Sequence, residues 1–154
     1  MNAEHTRREF DTWLVFLDDY IDEFRSDFSS DIKEKLDYSP FSLDIVEIWL
    51  MEKYSSSEMA RTSLSIKDDL HIFMCAMSYV GETYRINLGG IWNIHLDRPD
   101  KTNGRLQVIE RFNKENTALC PSLLMLSALD KRSASHMSTV LMFWMEMKQK
   151  HKSS

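Results

Sequence analysis

Between Leu70 and Leu88 the apolar positions recur every third or fourth residue. Leu70, Phe73, Met74, Met77, Gly81, Tyr84 and Leu88 fall on one stripe, as side chains spaced by three and four do on a helix. Ile72, Cys75, Ala76, Tyr79 and Val80 lie off the stripe and are apolar too, so this helix is expected to be covered on several sides. The pattern predicts a central helix over residues 65–88, with Ser65 as N-cap and Asp68 three positions on. Gly89 or Gly90 then ends it, because glycine takes the left-handed cap conformation without a Cβ penalty. After the glycines the period changes to two: Ile91, Asn93 and His95 alternate with Trp92, Ile94 and Leu96. A strand over residues 91–96 follows, with Trp92 toward the core. Gly81 in mid-helix costs roughly 1 kcal/mol relative to alanine, which predicts another backbone or a bulky ring packed against it, with Trp49 or Trp144 opposite.

The flanking pattern is also helical. A capping box at Thr6 and Glu9 precedes Phe10, Trp13, Leu14, Leu17, Ile21, Phe24 and Phe28, predicting a first helix over residues 6–28. Asp11, Asp18, Asp19, Asp22 and Glu23 occupy its other face, with Tyr20 among them. Residues 29–36 extend this helix or start a short second one, with Ile32 and Leu36 inward. Ser39-Pro40 signals a helix start, and the next helix is expected over residues 40–54. Phe41 stands at its head, Ile45, Ile48 and Trp49 form its apolar face, and Asp44, Glu47 and Glu52 face water. Residues 58–64 leave a helical turn open. Asp97-Arg98-Pro99-Asp100 and Asn103-Gly104 are turn residues, and alternation resumes from Leu106, so a strand over residues 105–112 pairs with the first as an antiparallel hairpin. Residues 121–129 suggest a short helix. Asp130 or Ser133 opens a last helix over residues 133–150, on which Met137, Val140, Leu141, Trp144, Met145 and Met147 form an apolar band. Two strands need a helical platform. The expected fold is therefore a mostly helical α+β single domain, residues 1–154, built round a central buried helix with a small antiparallel hairpin.

Composition sharpens this picture at three points. No apolar run reaches the 18 or so residues of a membrane span, and the N-terminal segment is charged where a signal peptide is apolar, so cytoplasmic residence is expected. Cys75 and Cys120 are the only cysteines, and reduced thiols are expected of them. Charge is distributed unevenly: residues 1–60 carry 15 acids and 6 bases, whereas residues 61–154 carry 9 acids and 13 bases. The acidic front disfavours nucleic acid and suits a basic partner, whose approach it would steer. The plainer reading is that these acids solvate two helix faces.

Candidate chemistry is sparse. No phosphate loop, nucleophile elbow, zinc-protease helix or calcium loop occurs. Gly89-Gly90 follows a helix and presents no N-terminal anion site. The histidines are scattered; His71 and Cys75, one turn apart, are half a metal site without evident companions, and no metal or cofactor is expected. Ser133, Ser135, His136 and Asp130 hold the residue types of a hydrolase triad but are crowded at a helix start, where they serve better as caps. The ten methionines are read as core filling rather than an adaptable groove. Glu82 is the polar residue that stands out. It is a general acid if burial raises its pKa, or else the partner of Arg85 in an ion pair that anchors the hairpin.

Tyr79, Gly81, Glu82, Gly89, Gly90 and Trp92, in the order YVGETYRINLGGIW, resemble the Tyr-x-Gly-Glu, Gly-Gly-x-Trp pattern of a group of small bacterial proteins. Ser39, Pro40, Ser42, Leu43, Glu47, Trp49, Leu50, Lys53 and Tyr54 resemble the segment preceding that pattern, so the likeness covers residues 38–96. Arg85 stands where the pattern is basic. Some members of that group are encoded beside polymorphic or contact-dependent toxins, and the resemblance implies an immunity role without a catalytic residue. Two expectations result. One is a non-catalytic cytoplasmic immunity protein that binds a cognate toxin, such as a basic nuclease domain, through Asp18, Asp19, Asp22 and Glu23. The other is a small enzyme or ligand-binding domain with a pocket where Tyr79, Glu82 and Trp92 meet.

Overall fold

The computed structural model describes residues 3–96 and 106–152. Eight helices and two strands follow in the order α1 (Ala3–Val15), α2 (Leu17–Ser26), α3 (Ser30–Lys35), α4 (Ser42–Lys53), α5 (Ser57–Ser63), α6 (Lys67–Leu88), β1 (Ile91–Asn93), β2 (Val108–Glu110), α7 (Pro121–Lys131) and α8 (His136–Lys152). The fold is the mostly helical α+β arrangement expected: 69% of the described residues are helical, and among them lies one two-stranded antiparallel sheet. Among the described residues no helix is long and apolar enough to cross a membrane.

Helix α6 is the axis. Residues 75–81 are buried without interruption, so its middle is covered on every side, while α2, α4, α7, α8 and β2 all pack against it. Leu70, expected on the buried stripe, is 43% exposed because the first turn extends beyond the covering elements. The helix also starts later than expected. Ile66 is its N-cap and has no side-chain cap bond; the Ser65 hydroxyl donates to Thr62 O at 2.8 Å instead. Asp69 in the first turn accepts from Ser63 Oγ at 2.7 Å. At the other end Gly89 takes the left-handed conformation, φ 81°, and donates to Arg85 O at 2.7 Å.

The predicted first helix is two helices. Phe16 separates them with ψ near 18°, and its amide is shared between Thr12 O and Trp13 O at 3.2 and 3.1 Å. No glycine or proline marks this bend. It lets Trp13 reach Ser78 and Trp92 while Ile21 and Phe24 lie buried along α6. Leu14, expected inside, is 37% exposed as a result. Ser30–Lys35 forms its own short helix, with Leu36 buried but Ile32 exposed. The open stretch before α6 is helical, and Ser56 caps it by accepting from Met59 N at 3.0 Å.

Helix α4 corrects two expectations. Ile48 is exposed, and Glu47, expected to face water, is completely buried. Leu43, Val46 and Leu50 form the buried face. The Glu47 carboxylate accepts from His136 N and Met137 N, each at 2.9 Å. Those are orphan amides of the first turn of α8, so Glu47 is an N-cap supplied from another helix. The last helix therefore opens at His136, not at Asp130 or Ser133. Asp130 belongs to α7 and accepts from Ser57 Oγ. At the end of α7, Arg132 reaches back to Met51 O, Tyr54 O and Ser55 O at 3.0–3.2 Å, satisfying carbonyls at the end of α4.

The strands are shorter than predicted, pairing Ile91 with Glu110, Trp92 with Ile109 and Asn93 with Val108. The expected turn residues Asp97 to Asp100, Asn103 and Gly104, and Arg105 at the start of the second strand, lie outside the described residues. Glu110 accepts from Asn93 Nδ2 and lies 2.6 Å from His95 Nε2. Burial alone would raise the Glu110 pKa, but the bonds from Asn93 and His95, with the charges of His95 and Arg111, shift it below the usual 4.5.

Two stability outcomes follow from these contacts. Removing the charged cap in Glu47→Ala leaves two amides of α8 unpaired in the interior, and should cost roughly 3 kcal/mol by chemical denaturation. The stabilisation from Glu110 is complete above pH 4.5 and is lost as pH falls through its lowered native value. The melting temperature should accordingly fall on acidification, and fall less steeply in Glu110→Gln.

Candidate functional site

Gly81, Glu82 and Trp92 converge on one node. Gly81 lies against the Trp92 indole, and a Cβ built there would lie 1.8 Å from Cη2 of the ring. The expected ring is thus neither Trp49, which stands edge-on to Phe24 at 5.2 Å, nor Trp144, which packs on Phe112 at 5.8 Å. Trp92 is returned to α6 by the glycine turn. Gly90 permits that return because a Cβ there would lie 2.6 Å from Glu110 O on β2. Trp13 meets the Trp92 ring edge-on, with centroids 4.7 Å apart, and donates through Nε1 to Ser78 Oγ at 3.0 Å. Three elements, α1, α6 and β1, are clamped at this point.

Glu82 completes the node. Its Oε2 accepts from Trp92 Nε1 at 2.9 Å, and both carboxylate oxygens accept from Arg85, whose Nε lies at 2.9 and 3.0 Å. The side chain of Glu82 is only 12% exposed. The ion pair weighed against a general-acid role is therefore present, and it holds the Arg85 pKa above its ordinary value, against burial. Tyr79 is committed elsewhere. Its hydroxyl donates to Ser42 Oγ at 2.7 Å and accepts from Tyr38 N at 3.1 Å, and its ring stacks on Tyr38 at 5.2 Å. Burial pushes the Tyr79 phenol pKa up. Asn87 adds a bond to Tyr38 O at 2.8 Å, so α6 fixes the α3–α4 connection, where Tyr38 has φ 65°. Tyr79 thus turns to the α3–α4 connection, while Glu82 and Trp92 bond each other. A cavity of about 470 Å³ lies elsewhere, lined by Phe10, Trp13, Tyr20, Met74 and Ile94 among others.

The acidic residues form a second feature. Asp18, Asp19, Asp22 and Glu23 are all exposed on α2, opposite buried Ile21 and Phe24. Among the described residues Asp18, Asp19 and Asp22 enter no ion pair. Beside them, the bend leaves Val15 78% and Phe16 50% exposed. An exposed valine and phenylalanine next to unpaired carboxylates make an apolar knuckle with an acidic rim, a feature the predicted continuous helix concealed. Adjacent branched and aromatic residues, both poor helix formers, were its only local signal. Glu23 differs from its neighbours because it contacts His71 and Cys75 on α6. It thereby supplies the companion that the His71–Cys75 pair lacked in the sequence.

His136, Ser133, Ser135 and Asp130 are not assembled as a triad. The His136 backbone amide bonds Glu47, Asp130 accepts from Ser57, and Ser133 Oγ accepts from Ser135 N at 3.4 Å. Cys75 and Cys120 are both free and buried. No protein-family model, curated protein or solved structure matches this chain.

The node yields a double-variant test. Gly81→Ala should destabilise by about 2 kcal/mol, because the methyl group displaces an indole held by Trp13 and Glu82. In a Trp92→Ala background the same change should become neutral or stabilising by up to about 1 kcal/mol, the ordinary helix preference for alanine. Urea denaturation of the four proteins measures the coupling.

Proposed function

We propose that this protein is a non-catalytic binding protein that holds a basic protein partner against the α1–α2 corner, as an immunity protein holds its cognate toxin. The observation carrying the proposal is the exposed Val15–Phe16 knuckle beside unpaired Asp18, Asp19 and Asp22. Apolar anchors at the centre and charges at the rim are how protein interfaces divide affinity from steering. The surplus of acids in residues 1–60 extends the negative field beyond the rim. Support also comes from the resemblance of residues 38–96 to small bacterial proteins associated with toxin systems. Inhibition would be steric: the acidic rim covers a basic active surface, such as that of a nuclease domain, in the cytoplasm of the producing cell. The commitment of Glu82, Arg85, Trp92 and Tyr79 to one another supports a scaffold role for the motif.

The test uses the product of an adjacent toxin-like gene as partner. Reversing Asp18, Asp19 and Asp22 to lysine should slow association by roughly 100-fold at low salt, with the deficit shrinking as salt screens the rim. Phe16→Ala should act mainly on dissociation, raising Kd about tenfold or more. Unchanged affinity in both variants, each retaining the native melting temperature, removes the α1–α2 corner as the docking face.

A further inference from the structure

Helix α2 packs along α6 so that Glu23 faces His71 and Cys75. The latter two are one turn apart on α6, which sets the imidazole beside the thiol with Nε2 3.7 Å from Sγ. Glu23 Oε2 lies 2.9 Å from Sγ and contacts the same Nε2. All three ligand atoms fall within 4.8 Å of one another. A nucleophile relay needs the two imidazole nitrogens to face different partners. Here a single nitrogen faces both the thiol and the carboxylate, so the three groups converge on one point.

That geometry suits a metal. With zinc–sulfur near 2.3 Å and zinc–nitrogen near 2.0–2.1 Å, a tetrahedral site has an S···N edge of about 3.5 Å. The Cys75–His71 pair already has nearly this spacing. The S···O and N···O edges, each about 3.4–3.6 Å, require the Glu23 carboxylate to swing outward by about 1 Å. Its side chain is 56% exposed and has room to do so. Cys75 forms a buried floor, whereas His71 is 48% exposed, leaving one side open to water. Tyr20 packs on the imidazole with ring centroids 5.5 Å apart and limits its rotation.

We propose that Glu23, His71 and Cys75 bind one zinc-class divalent cation, with water in the fourth position. Cys75 coordinates as thiolate, His71 through Nε2 and Glu23 through a carboxylate oxygen. A thiolate and an imidazole select a borderline-soft ion over magnesium or calcium. Loading breaks the Cys75 S–H bond, forms a sulfur–metal bond and releases the proton to solvent. In the metal-free protein, burial and then the neighbouring Glu23 carboxylate push the thiol pKa up. A dication inverts that balance. The site is independent of the partner reading, since no toxin is needed to fill it.

Cobalt is the probe. The full chain, stripped with a chelator and titrated with Co²⁺ at neutral pH, should take up one equivalent. It should show a thiolate-to-metal charge-transfer band and the visible bands of a tetrahedral ion, both displaced by Zn²⁺. Cys75→Ser should lose the charge-transfer band, His71→Ala should lose tight uptake, and Glu23→Gln should weaken it about tenfold or more. Cys120→Ser, and charge reversal of Asp18, Asp19 and Asp22, should leave the spectrum unchanged. Absence of the band, its persistence in Cys75→Ser, or weak uptake indifferent to His71→Ala overturns the proposal. If Cys75→Ser fails to fold, the half-exposed His71→Ala decides. Undiminished partner binding in the Asp18, Asp19 and Asp22 reversal, with an intact cobalt spectrum, would count only against the docking face.

Discussion

The absence of a side chain at Gly81 is the constraint on which this fold depends. It lets the Trp92 indole press against the backbone of α6, and the ring can arrive there only because Gly89 and Gly90 reverse the chain within two residues. Once seated, the indole is fixed on its polar edge by Glu82 and on its apolar flank by Trp13. The local cost of glycine in a helix, roughly 1 kcal/mol, is offset by the close packing of a large aromatic surface. Neither half works alone, since a hairpin of this size would not persist without its platform. The sheet is best understood as an appendage that returns one tryptophan to the central helix.

Residues 38–54 and 79–92 turn out to touch. Ser42, from the first, accepts a bond from Tyr79 in the second, and Glu47 reaches past both to α8. Val15 and Phe16, which the helix bend exposes, lie outside residues 38–96, at the junction of α1 and α2.

What the sequence revealed depended on how local the determining physics is. The stripe on α6, the left-handed Gly89 and the inward Trp92 were all legible, because periodicity and glycine conformations act within a few residues. The partner of Gly81 was misread because two other tryptophans were equally available and only the tightness of the glycine turn favours Trp92. Glu47 was misread for a different reason. A carboxylate ordinarily faces water, and what draws it inside is a pair of amides 89 and 90 residues away. The bend at Phe16 arises likewise from distant anchors on either side of it. Glu23 looked like one more surface acid, and its position opposite His71 and Cys75 depends on the packing of α2 along α6, which no spacing rule encodes.

The buried carboxylate at position 47 also orders events in time. Because α8 takes this cap from α4, two amides of its first turn depend on a carboxylate 89 and 90 residues away. During synthesis the residues of α4 are made long before those of α8, so the Glu47 carboxylate has no α8 amide to accept from until then. Helix α8 can satisfy those two amides only by docking on α4, so a chain stopped short of α8 would display a hydrated acid where the folded protein is dry.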